Sequence, residues 1–583
     1  FLGLRTLTVI QDAEKMVRRK VPDFDITKID PTDKEVYEMI GNGHTEGVFQ
    51  LESSGMKSFM KELKPQNMED IIAGISLYRP GPMDFIPRYI EGKNHQESIH
   101  YECEQMEEIL EPTYGCIVYQ EQVMQIVMKL AGYTLGRSDL VRRAMSKKKG
   151  DVMIKERQNF VYGNEEEGIP GCINNGIDEK TANQIWDEML DFAKYAFNKS
   201  HAAAYAVVAY RTAYLRCHYP VEFMAALLTS VLGNTNKISE YSYACKKLGI
   251  KILPPDINYG EGAFSVDHGN IRYGLTAIKS LGRPVIEAII RERNLNGPYR
   301  DFKDLVERLS SKEINKRTVE NLIKSGALDC FHVTRKQQMI VYASVIDSIQ
   351  KERKNEIAGQ MSLMDLLGEE DQQSFQISYP DVGEYEKEQK LAMEKEVLGI
   401  YVSGHPLEDD IERLERSVTA HTSDFVIDEE TGKTKIHDRE SCIIGGLISE
   451  MSVKLTKKNQ NMAFITLEDL RGTVEVVVFP RQYATYQSLL REDAKVFIKG
   501  TTQISEEESK VICNQIISFE EEDALKGILT SYPGKNPVVI YCKTERAVNR
   551  LGRDYMVSGD ENLLFDLEKR YGKENIRVRS LGI

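Results

Sequence analysis

The spacing of apolar residues changes once along this chain, and that change limits the possible folds, because a helix-period segment does not settle as a strand. From about residue 46 to 255 the pattern is helical, as in Val123, Ile126, Val127 and Leu130 between Gln120 and Gly132. Past residue 440 it alternates, through Ser441 to Val453, Ala463 to Asp469, Thr473 to Phe479 and Lys495 to Gln503. A loop is expected over Lys454 to Asn461 and a helical insert at Gln482 to Leu490. Four strands with a helix before the last suit a small closed barrel of OB type. Between the two regimes, residues 256 to 368 mix short strand-like pieces (Ile271 to Leu275) with helices broken by Gly282, Gly297-Pro298 and Gly326. Residues 369 to 396 are acidic and helix-prone and read as solvated; 404 to 438 carry turn residues. The last unit, Pro533 to Ile583, has a β-like Val538 to Cys542 and helices expected around Glu545 to Leu551 and Leu563 to Tyr571. The fold class is multidomain α+β.

A chain of 583 residues has room for about four domains of ordinary size. Its longest continuous apolar stretch, Ala202 to Tyr210, is far below the ~20 residues that cross a bilayer. Nine scattered cysteines with no CxxC pair read as reduced cytoplasmic thiols without a zinc site. Phe1-Leu2-Gly3-Leu4 runs straight into a helical pattern (Leu7, Ile10, Met16, Val17) with no initiator Met, which reads as the interior of a longer protein with no visible export signal. The net charge of −14 argues against a polyanionic partner, but a total conceals local patches.

The most basic patch is Lys129 to Lys149, where Lys129, Arg137, Arg142, Arg143, Lys147, Lys148 and Lys149 face Asp139 alone. Paired guanidiniums hold phosphate oxygens bidentately and lysines act as point charges along a backbone, although a solvated face gives the same run. Ser76-Leu-Tyr-Arg-Pro-Gly-Pro82 reads as a rigid turn presenting Tyr78 and Arg79, or as an ordinary Pro-Gly turn. Phe197-Asn-Lys-Ser-His-Ala202 is a polar cluster opening an alanine-rich helix, with Ser200 a candidate cap.

The strings GVFQLESSGM from Gly47, SLYRPGPM from Ser76, YGCIVYQEQVMQIVMKLAGYTLGRSDLVRRAMSKKK from Tyr114 and FNKSHAAAYAVVAYRTAYLRCHYPVEFMAALL from Phe197 resemble the alpha subunit of bacterial DNA polymerase III. The resemblance runs from Phe1 through at least Gln503. A barrel placed after the polymerase core resembles the DnaE type of this C-family replicative polymerase rather than the PolC type. The family's organisation implies the end of the palm and a connector at 1–45, fingers at 46–255, a clamp-binding domain with a helix-hairpin-helix at 256–400, a linker at 401–437, an OB-fold at 438–525, and a tau-binding-like domain at 526–583.

By motif position, the resemblance implies that Tyr78, Arg79, Arg142, Arg143, Lys147, Lys199 and His201 line the path of the incoming dNTP and template. Cations there would neutralise a triphosphate during phosphoryl transfer. It implies that the palm aspartates holding two Mg2+ precede Phe1, so that no catalytic or metal residue lies in this chain and the chain alone does not polymerise DNA. Asp23 and Asp25 have DxD spacing but fall in the family's connector, away from any metal. Leu275 to Arg283 with the following helix resembles a helix-hairpin-helix in which Lys279, Gly282 and Arg283 meet duplex phosphates. Ser280 stands where the usual pattern has Gly, and a degenerate second copy runs from Ile314 to Asp329. Gln360-Met361-Ser362-Leu363-Met364 resembles the internal peptide that grips the sliding clamp, the beta subunit. On the barrel, Lys454, Lys457 and Lys458 are implied contacts to single-stranded template, with stacking by Phe464 or Phe479, at least one of which alternation puts in the core. The implied partners are primed DNA, the clamp and the clamp-loader tau subunit, in the cytoplasm.

Overall fold

A computed structural model describes residues 3–79, 81–146, 150–193, 197–309, 314–357, 377–425, 434–456, 458–505, 509–542 and 547–578. The chain divides into two compact units, Phe1–Gly404 and His405–Ile583.

The first unit begins with helix α1, Arg5–Arg18, which buries the single face Val9, Ile10, Ala13 and Val17. Then come α2 (Lys34–Gly41), α3 (Ser54–Leu63), α4 (Met68–Leu77), α5 (Ile86–Asn94), α6 (Glu104–Leu110), α7 (Gln120–Ala131), α8 (Leu135–Ser146), α9 (Gly150–Tyr162), α10 (Glu179–Ala193), α11 (Lys199–His218), α12 (Pro220–Ser230) and α13 (Thr235–Lys247). Three cores hold them: α6 to α10 share one, α2 to α4 share a second with α11, and α1 joins α12 and α13 in a third. In α11 the buried positions Ala202, Ala206, Ala209 and Ala213 are all small, which admits α4 at close range. Helix α4 is buried from Asp70 to Leu77, and the Asp70 carboxylate accepts from Lys93 Nζ at 2.8 Å and Gln66 N at 2.9 Å. Lys93 also donates to the carbonyls of Leu63 and Lys64, closing the end of α3.

The third core continues into a three-stranded sheet and five helices. The strands are β1 (Ile252–Leu253), β2 (Ser265–Asp267) and β3 (Asn270–Arg272), ordered β1-β3-β2, with β1 parallel and β2 antiparallel to β3. The strand expected over Ile271 to Leu275 stops at Arg272, because Leu275–Ala277 turns into a single 3-10 helix. Helices α14 (Arg283–Asn296), α15 (Phe302–Arg308), α16 (Lys316–Lys324), α17 (Arg335–Ile357) and α18 (Lys387–Leu398) follow. The described part of the acidic stretch is not a solvated helix: α18 buries Leu391, Val397 and Leu398. It also buries Glu394, which is stabilised by Arg335 Nη1 at 3.0 Å and by the amides of Val402 and Ser403 at 3.0 and 2.9 Å.

The second unit opens with α19 (Ile411–Ser417) and closes a barrel from β4 (Ser441–Leu455), β5 (Asn461–Glu468), β6 (Thr473–Val478), β7 (Lys495–Ile504) and β8 (Ser509–Ser518), in the order β4-β5-β6-β8-β7. Four strands were expected; β8 is the fifth. Its parallel pairing with β6 completes the ring, and Val511, Cys513 and Ile516 fill the core. Gly446 in β4 is required by a close approach, since a Cβ there would lie 2.3 Å from the Glu468 carbonyl oxygen. Helix α20 (Pro480–Tyr486) supplies the insert. Helix α21 (Phe519–Ser531), β9 (Pro533–Asn536), β10 (Val539–Cys542), β11 (Ala547–Arg550) and α22 (Glu561–Tyr571) end the chain. The helix expected around Glu545 to Leu551 is instead β11, paired antiparallel with β10 from Val539↔Arg550 to Cys542↔Ala547. So short a segment nucleates a helix poorly, whereas a neighbouring strand satisfies its backbone at once. No helix among the described residues is long and apolar enough to cross a membrane.

Candidate nucleic-acid interface

The starts of α7 and α11 are tied together by their backbones, and this junction positions most of the side chains singled out above. Phe197 N donates to Val118 O at 3.2 Å, and Gln120 N donates to Phe197 O at 2.9 Å. The Glu121 carboxylate accepts from Lys199 N at 3.0 Å and Asn198 Nδ2 at 2.9 Å, favourable for an anion at a helix start. The cap of α11 is Asn198, not Ser200: Asn198 Oδ1 accepts from His201 N at 2.9 Å, the reach a residue directly before the first turn has.

From this junction Phe197, His201 and Tyr205 form one aromatic face, four residues apart, with ring centroids at 5.4 Å (Phe197 to His201) and 4.4 Å (His201 to Tyr205). The Arg79 guanidinium carbon lies 4.2 Å from the Phe197 ring centre, and Arg79 Nε donates to Ser76 O at 3.1 Å. Burial lowers the pKa of Arg79 from its ordinary value. Tyr78 stacks on Phe59 at 6.0 Å. Tyr78, Arg79, Phe197, His201 and Tyr205, with Gln50 and Ser53, line a cleft of about 260 Å³. Lys199 is not among the lining side chains: its ammonium lies at the start of α4, 2.9 Å from Glu69, and 5.2 Å from the ring of Tyr119.

Arg142 reaches the same junction by another route. Its Nη1 donates to Gln120 Oε1 at 2.9 Å, while Nε and Nη2 meet Asp139 at 3.1 and 2.6 Å. Exposed Arg143 takes the other Asp139 oxygen at 2.8 Å. Hydrogen bonding from Arg142 is the chief reason the Asp139 carboxyl is held below its ordinary pKa. Neither arginine is among the cleft-lining side chains. Lys147 lies outside the described residues. The seven-to-one charge balance of this segment does not survive folding intact: Lys129 pairs with Glu108, and Arg137 pairs with Glu156 and Glu167.

Asp25 is occupied locally. It accepts from Thr27 N at 2.9 Å and Thr27 Oγ1 at 2.6 Å, bonds that bring its carboxyl down to about 2. Among the described residues, one group of three or more side chains is close enough to share a metal ion, Glu35, Cys217 and His218, and its sulfur and nitrogen donors do not suit Mg2+.

Further along, Lys279, Gly282 and Arg283 are exposed at the turn before α14. Ser280 adopts φ +64°, the left-handed conformation that makes Gly usual at this point. The degenerate copy packs onto this turn: Arg317 Nη2 donates to Ser280 Oγ at 3.1 Å and Asn321 Nδ2 to Lys279 O at 2.8 Å. Exposed Arg317 therefore joins Lys279 and Arg283, a grouping that the spacing alone does not show. Gln360, Met361, Ser362, Leu363 and Met364 lie outside the described residues.

On the barrel, Lys454 belongs to β4 rather than to a loop, because Lys454↔Met462 and Leu455↔Asn461 pairing extends the hairpin. Its ammonium sits 4.8 Å from the ring centre of half-buried Phe464. Lys458 is exposed at the tip, and Lys457 lies outside the described residues. Neither phenylalanine fills the core: Phe479 is 44% exposed and Phe464 points outward between buried Ala463 and Ile465.

Residues missing from the sequence-based assignment are Phe197, Tyr205, Gln120 and Gly55. The first two are legible as a four-residue spacing with His201. Gly55 is not, since its role comes from Tyr78: a Cβ at position 55 would lie 1.7 Å from Tyr78 Oη.

Residues 6–168 match the family described as the bacterial DNA polymerase III alpha subunit finger domain, 249–338 a helix-hairpin-helix motif and 443–518 an OB-fold nucleic acid binding domain. Similar curated proteins include the DNA polymerase III subunit alpha of Bacillus subtilis (36% identical, covering 99% of this chain and 52% of that protein). Those of Borreliella burgdorferi (39%; 89% and 44%) and Escherichia coli K12 (37%; 99% and 52%) bear the same name. The chain spans about half the length of these relatives.

Proposed function

We propose that this chain, which carries a finger domain of the bacterial DNA polymerase III alpha-subunit family, is the C-terminal portion of a replicative DNA-directed DNA polymerase of the cytoplasm. The observation that carries the reading is the aromatic face Phe197, His201 and Tyr205 with the Arg79 guanidinium against Phe197, and with Lys199 in the first turn of the same helix. Planar rings take nucleobases by stacking, and adjacent cations offset the charge of a triphosphate or a template backbone. Arg142 and Arg143, held by Asp139, extend that cationic edge. Lys147 completes it in this reading.

The remaining parts hold the substrate in place. Lys279, Gly282 and Arg283, with Arg317, grip duplex phosphates without reading bases. The Lys454 and Phe464 pair on the barrel, with Lys457 and Lys458, binds single-stranded template. Gln360 to Met364 attach the sliding clamp, which raises processivity by keeping the polymerase at high local concentration. The last unit is the site for the clamp-loader tau subunit. In this reading the two Mg2+ that activate the primer hydroxyl are held by palm carboxylates outside this chain. The helix-hairpin-helix and OB-fold matches also fit a second reading, a non-catalytic DNA- and clamp-binding module.

Incubated alone with primed template, Mg2+ and dNTPs, the chain should bind the template yet extend no primer. Extension would place the metal ligands within it and overturn the assignment. Replacing Gln360, Leu363 and Met364 with Ala should abolish clamp binding with DNA affinity unchanged; undiminished clamp binding would move that contact elsewhere.

A further inference from the structure

The beginning of α2 and the end of α11 meet at a cluster that no part of the polymerase reading uses. Cys217 and His218 are the residues with which α11 approaches its end, and both are half-buried. Glu35 lies in the first turn of α2, exposed. One donor atom from each, the thiol sulfur, an imidazole nitrogen and a carboxylate oxygen, all lie within 4.8 Å of one another. Asp33, the N-cap of α2, stands next to them: its Oδ1 accepts from Glu35 N at 3.0 Å, and its Oδ2 is 2.8 Å from His218 Nε2.

We propose that Glu35, Cys217 and His218 form a Zn2+ site that staples α2 to α11, with Asp33 orienting the histidine. The donor set decides the metal class. A thiolate with an imidazole and one carboxylate suits Zn2+ and its Co2+ surrogate, and disfavours Mg2+ and Ca2+, which take oxygen. The Asp33 hydrogen bond at Nε2 fixes the imidazole ring, and the proposal assigns Nδ1 to the metal, the outer-shell arrangement common at histidine ligands. Tetrahedral coordination at metal–ligand lengths of about 2.0 to 2.3 Å brings donors to roughly 3.3 to 3.8 Å apart. Closure from the 4.8 Å limit by about 1 to 1.5 Å takes side-chain rotation of exposed Glu35 and of half-buried Cys217 and His218. The fourth position is left to water. Binding releases the Cys217 proton to solvent, so the thiolate is the ligand.

The sequence carries no CxxC or HxxxH signal because the donors come from two segments about 180 residues apart that only the fold joins. The consequence reaches the cleft indirectly. Helix α11 bears Lys199 and His201 at its start and Cys217 and His218 at its end, so a metal at the far end anchors the helix that presents the cleft. The inference does not depend on the polymerase reading.

The test titrates the full chain, stripped with a chelator, with Co2+ alone and then Zn2+ alone. The expected results are one equivalent of Co2+ bound with a near-ultraviolet sulfur-to-cobalt band, a rise in Tm with Zn2+, and Zn2+ protection of Cys217 from alkylation read by peptide mass spectrometry. Cys217→Ser should remove the band. Asp33→Asn, which keeps a capping oxygen, should weaken Zn2+ binding by about 10- to 100-fold. Glu35→Gln, at an exposed position, guards against misfolding as a cause and should also lower affinity at least about tenfold. Wild-type chain whose Cys217 alkylates equally fast with and without Zn2+, or Cys217→Ser and Glu35→Gln chains that bind Zn2+ as tightly as wild type, would overturn the site.

Discussion

At the scale of single residues, Gly55 shows how a position that makes room for a neighbouring ring hides in a sequence. No charge or ring marks it, yet a side chain there would meet the Tyr78 hydroxyl at 1.7 Å and push the ring off Phe59. Gly55→Ala should leave far-UV circular dichroism intact while lowering affinity for primed DNA several-fold, by about 1 kcal/mol or more if one base-stacking contact is lost. Unchanged affinity would remove Tyr78 from the interface. Adding Tyr78→Phe, which deletes the clashing oxygen, should restore part of the loss. The aromatic trio is readable as a four-residue spacing: His201 and Tyr205 share a face of α11, and Phe197, just before its cap, adds the third ring. The Arg142 to Gln120 bond was not, since those residues lie on separate helices. The charge count over Lys129 to Lys149 overstated the free cations for a similar reason: the neutralising acids Glu108, Glu156 and Glu167 come from outside that window.

At the scale of elements, pattern reading was strongest where one face is apolar over many residues and weakest for short pieces. Gln120–Ala131 and four barrel strands stand close to where periodicity placed them. The fifth strand, Ser509–Ser518, departs from strict alternation: its pairing passes from Gly500↔Cys513 to Lys499↔Gln515, so Asn514 is an extra residue and the buried positions slip from Val511 and Cys513 to Ile516. Ala547–Arg550 became a strand through its neighbour Val539–Cys542, a partner invisible to local propensity. The acidic composition of 369 to 396 concealed Glu394, which folding takes from solvent into a buried pair with Arg335, a residue also bound to Asp329 at 2.8 Å. Removing one partner of such a pair is costly. Glu394→Gln should therefore destabilise the first unit by about 3 kcal/mol, read as a lower denaturant midpoint at constant slope. A midpoint within error of wild type would show that Asp329 alone satisfies Arg335.

At the scale of the whole molecule, an acidic chain is expected to bind a polyanion because its cations are gathered rather than abundant: Arg79 at the cleft and Lys199 at the start of α11, Lys279, Arg283 and Arg317 at the hairpin turn, Lys454 on the barrel. Bulk charge of −14 says nothing about such grouping. Binding driven by phosphate contacts releases counterions, so its strength falls steeply with salt. The most direct measurement is the affinity for primed DNA between about 50 and 500 mM salt, for the wild-type chain and for Arg79→Ala/Lys199→Ala. The account predicts a steep linear fall of log K with log salt for the wild type, and a slope shallower by about 1 to 2 for the double variant. A flat wild-type response, or identical slopes for the two proteins, would contradict it.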